Sequence, residues 1–452
     1  MKIPCVERPE WLVVGLSFLQ PAMTTIQWNN LTLIATALVL GSRFNLSEIS
    51  RMWLKAKGVS TLSYFFSEID ISISEMQKLY AVRVMQTYSL SGGYYLIDDT
   101  MQHHSRFCRW IHGVCCLYDH VLHTNIQSKC IVFLYYNDGV LIKFPIAFRI
   151  FYKEAGKPMP WQKEEQFVHK TKNQLALEML QWALDEGFPK ATVLADSWFC
   201  VEVFIKGLRK LKLPYILEAK NSYKIKLPCK SPKLTPTGRL AKKQFDLKSL
   251  ADYFETIASF TACGFERDLE TGKPQKVLYH AKIATVRFNA FAGKHRVVQS
   301  IDPAQGTTKY LITNQLHFET LKIISAYSNR WVVEEFFRNA KQLSDMEGAT
   351  IRSQQGVTLS LCLVSWIDFL LHYENYKSTT EGSQKESLSI PSIVRQAQAE
   401  NMLAFIDKIQ NDEEFVQKWV KITKDHIYHS RKATKELVDF EDIQDTALPK
   451  AA

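Results

Sequence analysis

The chain has 452 residues, 46% apolar and 23% charged, which is room for two or three folded units and excludes a disordered or fibrous class. Its 56 basic against 46 acidic residues give a formal charge of +10, a balance that favours a polyanionic partner. Nine cysteines, an odd number without a repeating CxxC pattern, argue against a disulfide framework and fit a reducing compartment.

In chain order, residues 1–90 read as helical. The apolar run WLVVGLSFL near the start lacks the clean positive lead and small-residue cleavage site of a secretory signal. The run LTLIATALVLG, Leu31 to Gly41, is too short to span a bilayer. No membrane partner is expected, and the cytoplasm is the default. LTLIATALVLG, SRFN and LSEISRMWLKAKG have the rhythm of two helices joined by a tight turn with Asn45 as a cap, and SISEMQKLYAVRVMQTY adds a third. The region is either a helix-turn-helix DNA reader or a small helical bundle. Arg51, Lys55 and Lys57 suit phosphate contacts or a solvated face equally well.

From Gly92 the pattern changes to strands. GGYYLIDDT is a buried-strand run, CIVFLYYNDGVLIKFPIAFRIFY a hairpin turning at Asn137-Asp138-Gly139, and KATVLADS another apolar run. Between the hairpin and that last strand lies an amphipathic helix, EEQFVHKTKNQLALEMLQWALDEGF, ending at Gly187. Helix SWFCVEVFIKGLRKLK and strand PYILEAK follow. Strand, hairpin, helix, strand, helix is the ribonuclease-H-like order. A resemblance to that fold implies a central sheet that sets two acidic sites side by side, here Asp98 with Asp99 and then Asp196, and a later helix that brings a third acid.

The group His103, His104, Cys108, His112, Cys115, Cys116, His120 and His123 shows no finger-like spacing, so packed core is favoured there over a zinc site. Asn221 to Gln244 holds seven Lys or Arg, three Pro and no acid, and reads as an exposed basic excursion suited to a DNA backbone. Alternating runs KVLYHAKIATVRF, HRVVQSI and TKYLITN predict further strands. Beyond Lys341, SLCLVSWIDFLLHYENY is an apolar helix that closes the core. After the polar break KSTTEGSQKES, the last two long stretches read as amphipathic helices.

The stretch Tyr327 to Lys341, YSNRWVVEEFFRNAK, has no Gly or Pro and reads as one helix. On its wheel Tyr327, Arg330, Glu334, Arg338 and Lys341 fall within an arc of about 80°. Val332 and Phe336 lie opposite. One carboxylate among cations would ordinarily form surface ion pairs. Joined by Asp98 and Asp196 it becomes a set of hard oxygen ligands suited to Mg²⁺ at a phosphodiester.

The spacing Tyr-x2-Arg-x3-Glu-x6-Lys, met without a gap by Tyr327, Arg330, Glu334 and Lys341, resembles the YREK signature of bacterial insertion-sequence transposases with an Asp, Asp, Glu (DDE) triad. Trp331 and Glu335 also look like that family's usual neighbours. Asp-x-Thr after an apolar strand and Leu-Ala-Asp-Ser-Trp-Phe occur in the family's order, and the resemblance covers about Gly92 to Tyr373. It implies an α/β fold: a ribonuclease-H-like catalytic core, a β-rich insertion, a helical N-terminal domain and a helical C-terminal region. The corresponding boundaries are 1–90 for the end-binding helices, 91–220 and 315–375 for the core, 221–314 for the insertion and 376–452 for subunit contacts. It further implies that Asp98, Asp196 and Glu334 hold two Mg²⁺ ions, with Mn²⁺ as a substitute, and cut the ends of the element before joining them to target DNA. Asp99 is an alternative to Asp98 if the strand register slips. Tyr327, Arg330, Arg338 and Lys341 would grip phosphates, and Tyr310 would stack on a flipped base. The implied partners are double-stranded DNA, the element's terminal inverted repeats and target DNA, with two copies paired across two ends near the nucleoid. Two alternatives remain: a ribonuclease-H-like nuclease, and a domesticated regulator that binds DNA without cutting it.

Overall fold

The structure, a computed structural model, describes residues 3–53, 58–67, 72–153, 169–229, 245–267, 274–301, 306–381 and 388–433. Lys55, Lys57 and most of the basic excursion up to Gln244 lie outside the described residues. The amino-terminal region is helical: α1 (Glu10–Leu16), α2 (Thr25–Val39), α3 (Leu46–Arg51), α4 (Val59–Ser67) and α5 (Ile73–Thr87). The side chain of Asn45 accepts from the backbone N–H groups of Ser47 and Glu48, so it caps α3 as its sequence position predicts. Every residue of α2 from Asn30 to Val39 is buried. That helix is therefore packed all round, and Arg51, at the end of α3, is exposed.

Next come β1 (Tyr94–His103), β2 (Cys115–Asp119), β3 (Thr124–Asn137) and β4 (Lys143–Phe151), then α6 (Lys172–Asp185), β5 (Thr192–Ala195), α7 (Glu202–Lys210) and β6 (Tyr215–Ala219). The β3–β4 hairpin turns where Asp138 Oδ1 accepts from the N–H groups of Val140, Leu141 and Ile142 and Gly139 takes φ +87°. Helix α6 starts in a capping box between Thr171 and Gln174 and stops at Gly187, φ +93°, with the Phe188 N–H returning to the Ala183 carbonyl.

Strand β3 is antiparallel to both β4 and β1, and β5 and β6 follow parallel to β1, which is the ribonuclease-H-like arrangement. β2 shares the β4 edge of β3, pairing with its first half. The region after β6 contains β7 (Lys224–Pro228), β8 (Phe245–Ser249), α8 (Leu250–Glu255), β9 (Phe260–Arg267), β10 (Pro274–Arg287), β11 (Lys294–Ile301) and β12 (Thr308–Thr313). β7 and β8 pair apart from the rest, whereas β12 lies antiparallel against β6 and carries β11, β10 and β9 outward. The insertion thus prolongs the core sheet, giving ten strands in all among the described residues.

Helices α9 (Thr320–Ser328), α10 (Trp331–Gln342), α11 (Gln354–Glu381), α12 (Ile390–Asn411) and α13 (Glu413–Ala433) complete the chain. α11 is long and apolar enough to cross a membrane, but 89% of its most apolar window is buried inside the protein. It is the central core helix, with Trp366 and Phe369 at most 1% exposed. The helix continues through Lys377 to Glu381, so the polar break begins later than its composition predicts.

Candidate active site

Parallel pairing fixes two acids first. Ile97 is in register with Ala195, so the residues that follow, Asp98 within β1 and Asp196 just past the end of β5, stand at the same level and project to the same face. Asp99 points to the other face. There it accepts from Lys172 Nζ at 2.8 Å and lies 3.3 Å from Cys130 Sγ. Alternation along β1 therefore separates the two candidates: Asp98 lies with Arg330, and Asp99 does not.

The expectation of one continuous helix over Tyr327–Lys341 is corrected by the structure. α9 ends at Ser328 and α10 begins at Trp331. At the joint the backbone bonds tighten to i→i−3, from Arg330 N–H to Tyr327, Val332 to Asn329 and Val333 to Arg330. The Asn329 side chain donates to the Ser325 carbonyl at 2.9 Å and accepts from Asn137 Nδ2 at 3.0 Å. A tertiary tether to the end of β3 thus holds the break without Gly or Pro. The two sides of the joint carry different parts of the signature.

α10 is seated by Val333, Phe336 and Ala340, all buried. The Phe336 ring lies 5.0 Å from that of Phe133 and 5.1 Å from that of Tyr135 on β3. Phe133 is the β3 partner of Asp98, so this packing brings Glu334 to the Asp98 face. Arg330 joins the two acids. Its Nη1 donates to Asp98 Oδ2 at 2.8 Å and its Nη2 to Glu334 Oε1 at 2.6 Å. Burial works against the charge of this guanidinium, but Tyr327, Asp98 and Glu334 outweigh it and raise its pKa.

Burial also pushes the Asp98 carboxyl up to about 7, with Arg330 opposing and the charges of Asp196 and Asp99 adding to the rise. Asp196 is raised as well, chiefly by burial. The N–H of Trp198, which donates to its Oδ1 at 3.0 Å, and Arg330 oppose that shift. A buried cluster of this kind holds more negative charge than one arginine balances. Among the described residues no group of three or more His, Cys, Asp or Glu side chains is placed to hold a metal ion, the Cys/His group of residues 103–123 included. At the carboxylates the place between Asp98 and Glu334 is taken by the guanidinium. The donors themselves, three hard carboxylates short of positive charge, fit a divalent cation of the Mg²⁺ type.

The remaining residues singled out from the sequence are spread around this centre. Lys341 Nζ pairs with Glu347 at 2.8 Å and reaches the Met101 carbonyl on β1 at 3.3 Å, while Arg338 is exposed. Tyr327 is buried on α9, its hydroxyl donating to Glu218 Oε2 at 3.0 Å. Tyr310 is 7% exposed, its ring edge-on to Phe254 and its hydroxyl accepting from Gln299 Nε2. A ring enclosed in this way offers no face to a base, so the stacking role expected for Tyr310 is not carried forward. Glu218 escaped the sequence reading, although a lone acid in the apolar strand PYILEAK, beside the strand that bears Asp196, was the signal available.

Over residues 19–257 the chain matches the family model described as DDE superfamily endonuclease, and over residues 168–367 the model described as transposase DDE domain. The first match alone spans more than half of the chain. The chain belongs to the DDE superfamily. It is a DDE-superfamily transposase whose substrate is DNA, and the two matched regions together contain Asp98, Asp196 and Glu334. Among curated proteins the transposase has no match.

Proposed function

We propose that this transposase cuts the ends of an insertion sequence of the YREK group and joins them to target DNA, with Asp98, Asp196 and Glu334 as its catalytic carboxylates. The observation that carries this reading is the convergence of the three acids: two follow the register pair Ile97–Ala195 on adjacent parallel strands, and the third is tied to the first through Arg330. Mg²⁺ or Mn²⁺ held by these acids would supply activation of water or of a DNA 3′ hydroxyl and neutralisation of the departing 3′ oxygen. The protein's own part is to orient and to balance charge. Packing of Phe336 against Phe133 and Tyr135 sets Glu334, and the strand register sets Asp98 against Asp196. Arg330 holds Asp98 and Glu334 together, and the remaining N–H groups of its planar fork would be donors for a scissile-strand phosphate. Arg338 and Lys341, one and two turns beyond Glu334, extend that positive edge along α10.

The transposase would act on duplex DNA at the terminal inverted repeats, as two copies bridging two ends, in the cytoplasm near the nucleoid. To test the chemistry, purified protein is incubated with Mg²⁺ and linear duplex carrying the inverted repeats that flank its gene. Asp196→Ala and Glu334→Ala are expected to retain end binding and lose nicking. Nicking at the wild-type rate by both variants would remove the assignment.

A further inference from the structure

The row of acids does not stop at Asp196. Ala195 on β5 is in register with Leu217 on β6, so Asp98 in β1, Asp196 just beyond β5 and Glu218 in β6 are the next residues along three neighbouring parallel strands and share a face. Tyr327, 5% exposed in the last turn of α9, closes over this face, and its hydroxyl donates to Glu218 Oε2 at 3.0 Å. The guanidinium carbon of Arg330 lies 6.0 Å from the centre of the Tyr327 ring. Glu218, Tyr327 and Arg330 thus form a chain of contacts that ends at Asp98 and Glu334.

We propose that Glu218 is a positioning residue of this site, which holds the Tyr327 phenol and through it fixes Arg330 between Asp98 and Glu334. The inference rests on the catalytic reading of the preceding subsection. It gives Tyr327 a different task from the phosphate contact that its signature position implies. A phenol has one O–H to donate, and here that donor is committed to a carboxylate inside the protein. A buried hydroxyl left without its acceptor would be costly, so loss of Glu218 frees the ring to move, and the guanidinium packed on it moves too. Burial is the main force raising the Tyr327 hydroxyl well above its usual pKa, with Arg330 opposing and Glu218 adding, so the phenol stays a donor.

The experiment compares Tyr327→Phe, Glu218→Ala, Glu218→Gln and the double variant Glu218→Ala/Tyr327→Phe. Two quantities are read on the inverted-repeat duplex: single-turnover cutting with Mg²⁺, and end affinity without divalent ions. Tyr327→Phe and Glu218→Ala are each expected to slow cutting by about 10²-fold, the scale of a small misplacement of a reacting group, with end affinity unchanged. The double variant should be no slower than either single one, and Glu218→Gln, whose amide oxygen still accepts from the phenol, should recover most of the rate. Weaker end binding by Tyr327→Phe would restore the phosphate contact and overturn the proposal. So would multiplicative losses in the double variant, or a Glu218→Gln variant as slow as Glu218→Ala with impaired Mn²⁺ binding by calorimetry, which would make Glu218 a ligand. Should Glu218→Ala not fold, the comparison of Tyr327→Phe with Glu218→Gln decides alone. Wild-type cutting by Asp196→Asn would instead remove the underlying catalytic reading. If Asp196→Asn is inactive and the Tyr327 and Glu218 variants cut at the wild-type rate, only the positioning role falls.

Discussion

Asp98 and Asp99 are consecutive in β1, each side chain is 17% exposed, and each accepts a 2.8 Å contact from a cation. Their surroundings differ nonetheless. On the α10 face, Asp98 shares Arg330 with Glu334 and stands beside Asp196. On the α6 face, Asp99 meets Lys172 and the Cys130 thiol, which burial pushes above its usual pKa and so keeps neutral. The second arrangement balances its charge; the first does not. A part-buried ion pair is thus common to Asp99 and to the proposed catalytic Asp98, and what sets Asp98 apart is the further carboxylates converging on it.

Removing one acid at a time is the strongest attempt to break that contrast. Asp98→Ala and Asp196→Ala should each lower single-turnover cutting by at least about 10³-fold, as for members of a set that acts as a unit. Asp99→Asn should stay within about tenfold of wild type by the same assay. Equal losses at residues 98 and 99 would erase the distinction.

Stability sharpens it from the other side. Phe336→Ala, which empties the contact between α10 and β3, should cost about 3–5 kcal/mol in denaturant unfolding. Lys172→Ala should cost less, about 2 kcal/mol, because the Asp99 left unpaired keeps some access to solvent. A larger loss at Lys172 than at Phe336 would mean that the α6 face, and not the helix bearing Glu334, anchors the fold.

The smallest effect is on pH dependence. With its carboxyl pushed up to about 7, Asp98 in the folded chain keeps a proton that the unfolded chain has released above about pH 4. The unfolded state then binds fewer protons, so this group lowers stability as pH rises from about 4 to 7. Without divalent ions, the Tm difference between Asp98→Asn and wild type should move in favour of the variant across that window. Asp368, which burial also pushes to about 7 beneath Tyr135, gives a second such pair through Asp368→Asn. No change of either difference with pH would show that these acids ionise as they do in water.

Much of this was legible in the chain because its signals are local. The cap at Asn45, the stop at Gly187 and the Asn137-Asp138-Gly139 turn depend on a few consecutive residues, and all three are where their chemistry puts them. Alternation in TKYLITN, HRVVQSI and KVLYHAKIATVRF gave β12, β11 and β10. The failures are tertiary. Nothing within YSNRWVVEEFFRNAK announces that Asn137 will hold Asn329 and break the helix at Arg330. Nor does TKYLITN reveal that Phe254 covers the Tyr310 ring, or PYILEAK that Glu218 receives a phenol from a residue far along the chain. Strand β2, short and edge-placed, was missed because CCLYD carries little pattern. The choice between Asp98 and Asp99 needed only the pleat, but which face bears the helix is not written in β1 itself.

The pairing of Tyr310 with Ala219 bears on how the molecule is made. Asp98 and Asp196 leave the ribosome early, while α9 and the Glu334 helix come directly after β12, the strand that pairs with β6 across the whole of the β7–β11 insertion. Pairing over so large a sequence separation is slow compared with forming local hairpins. A nascent chain therefore carries two of the three proposed catalytic acids for much of its synthesis, and on that proposal a polypeptide truncated before β12 is unarmed against the genome that encodes it.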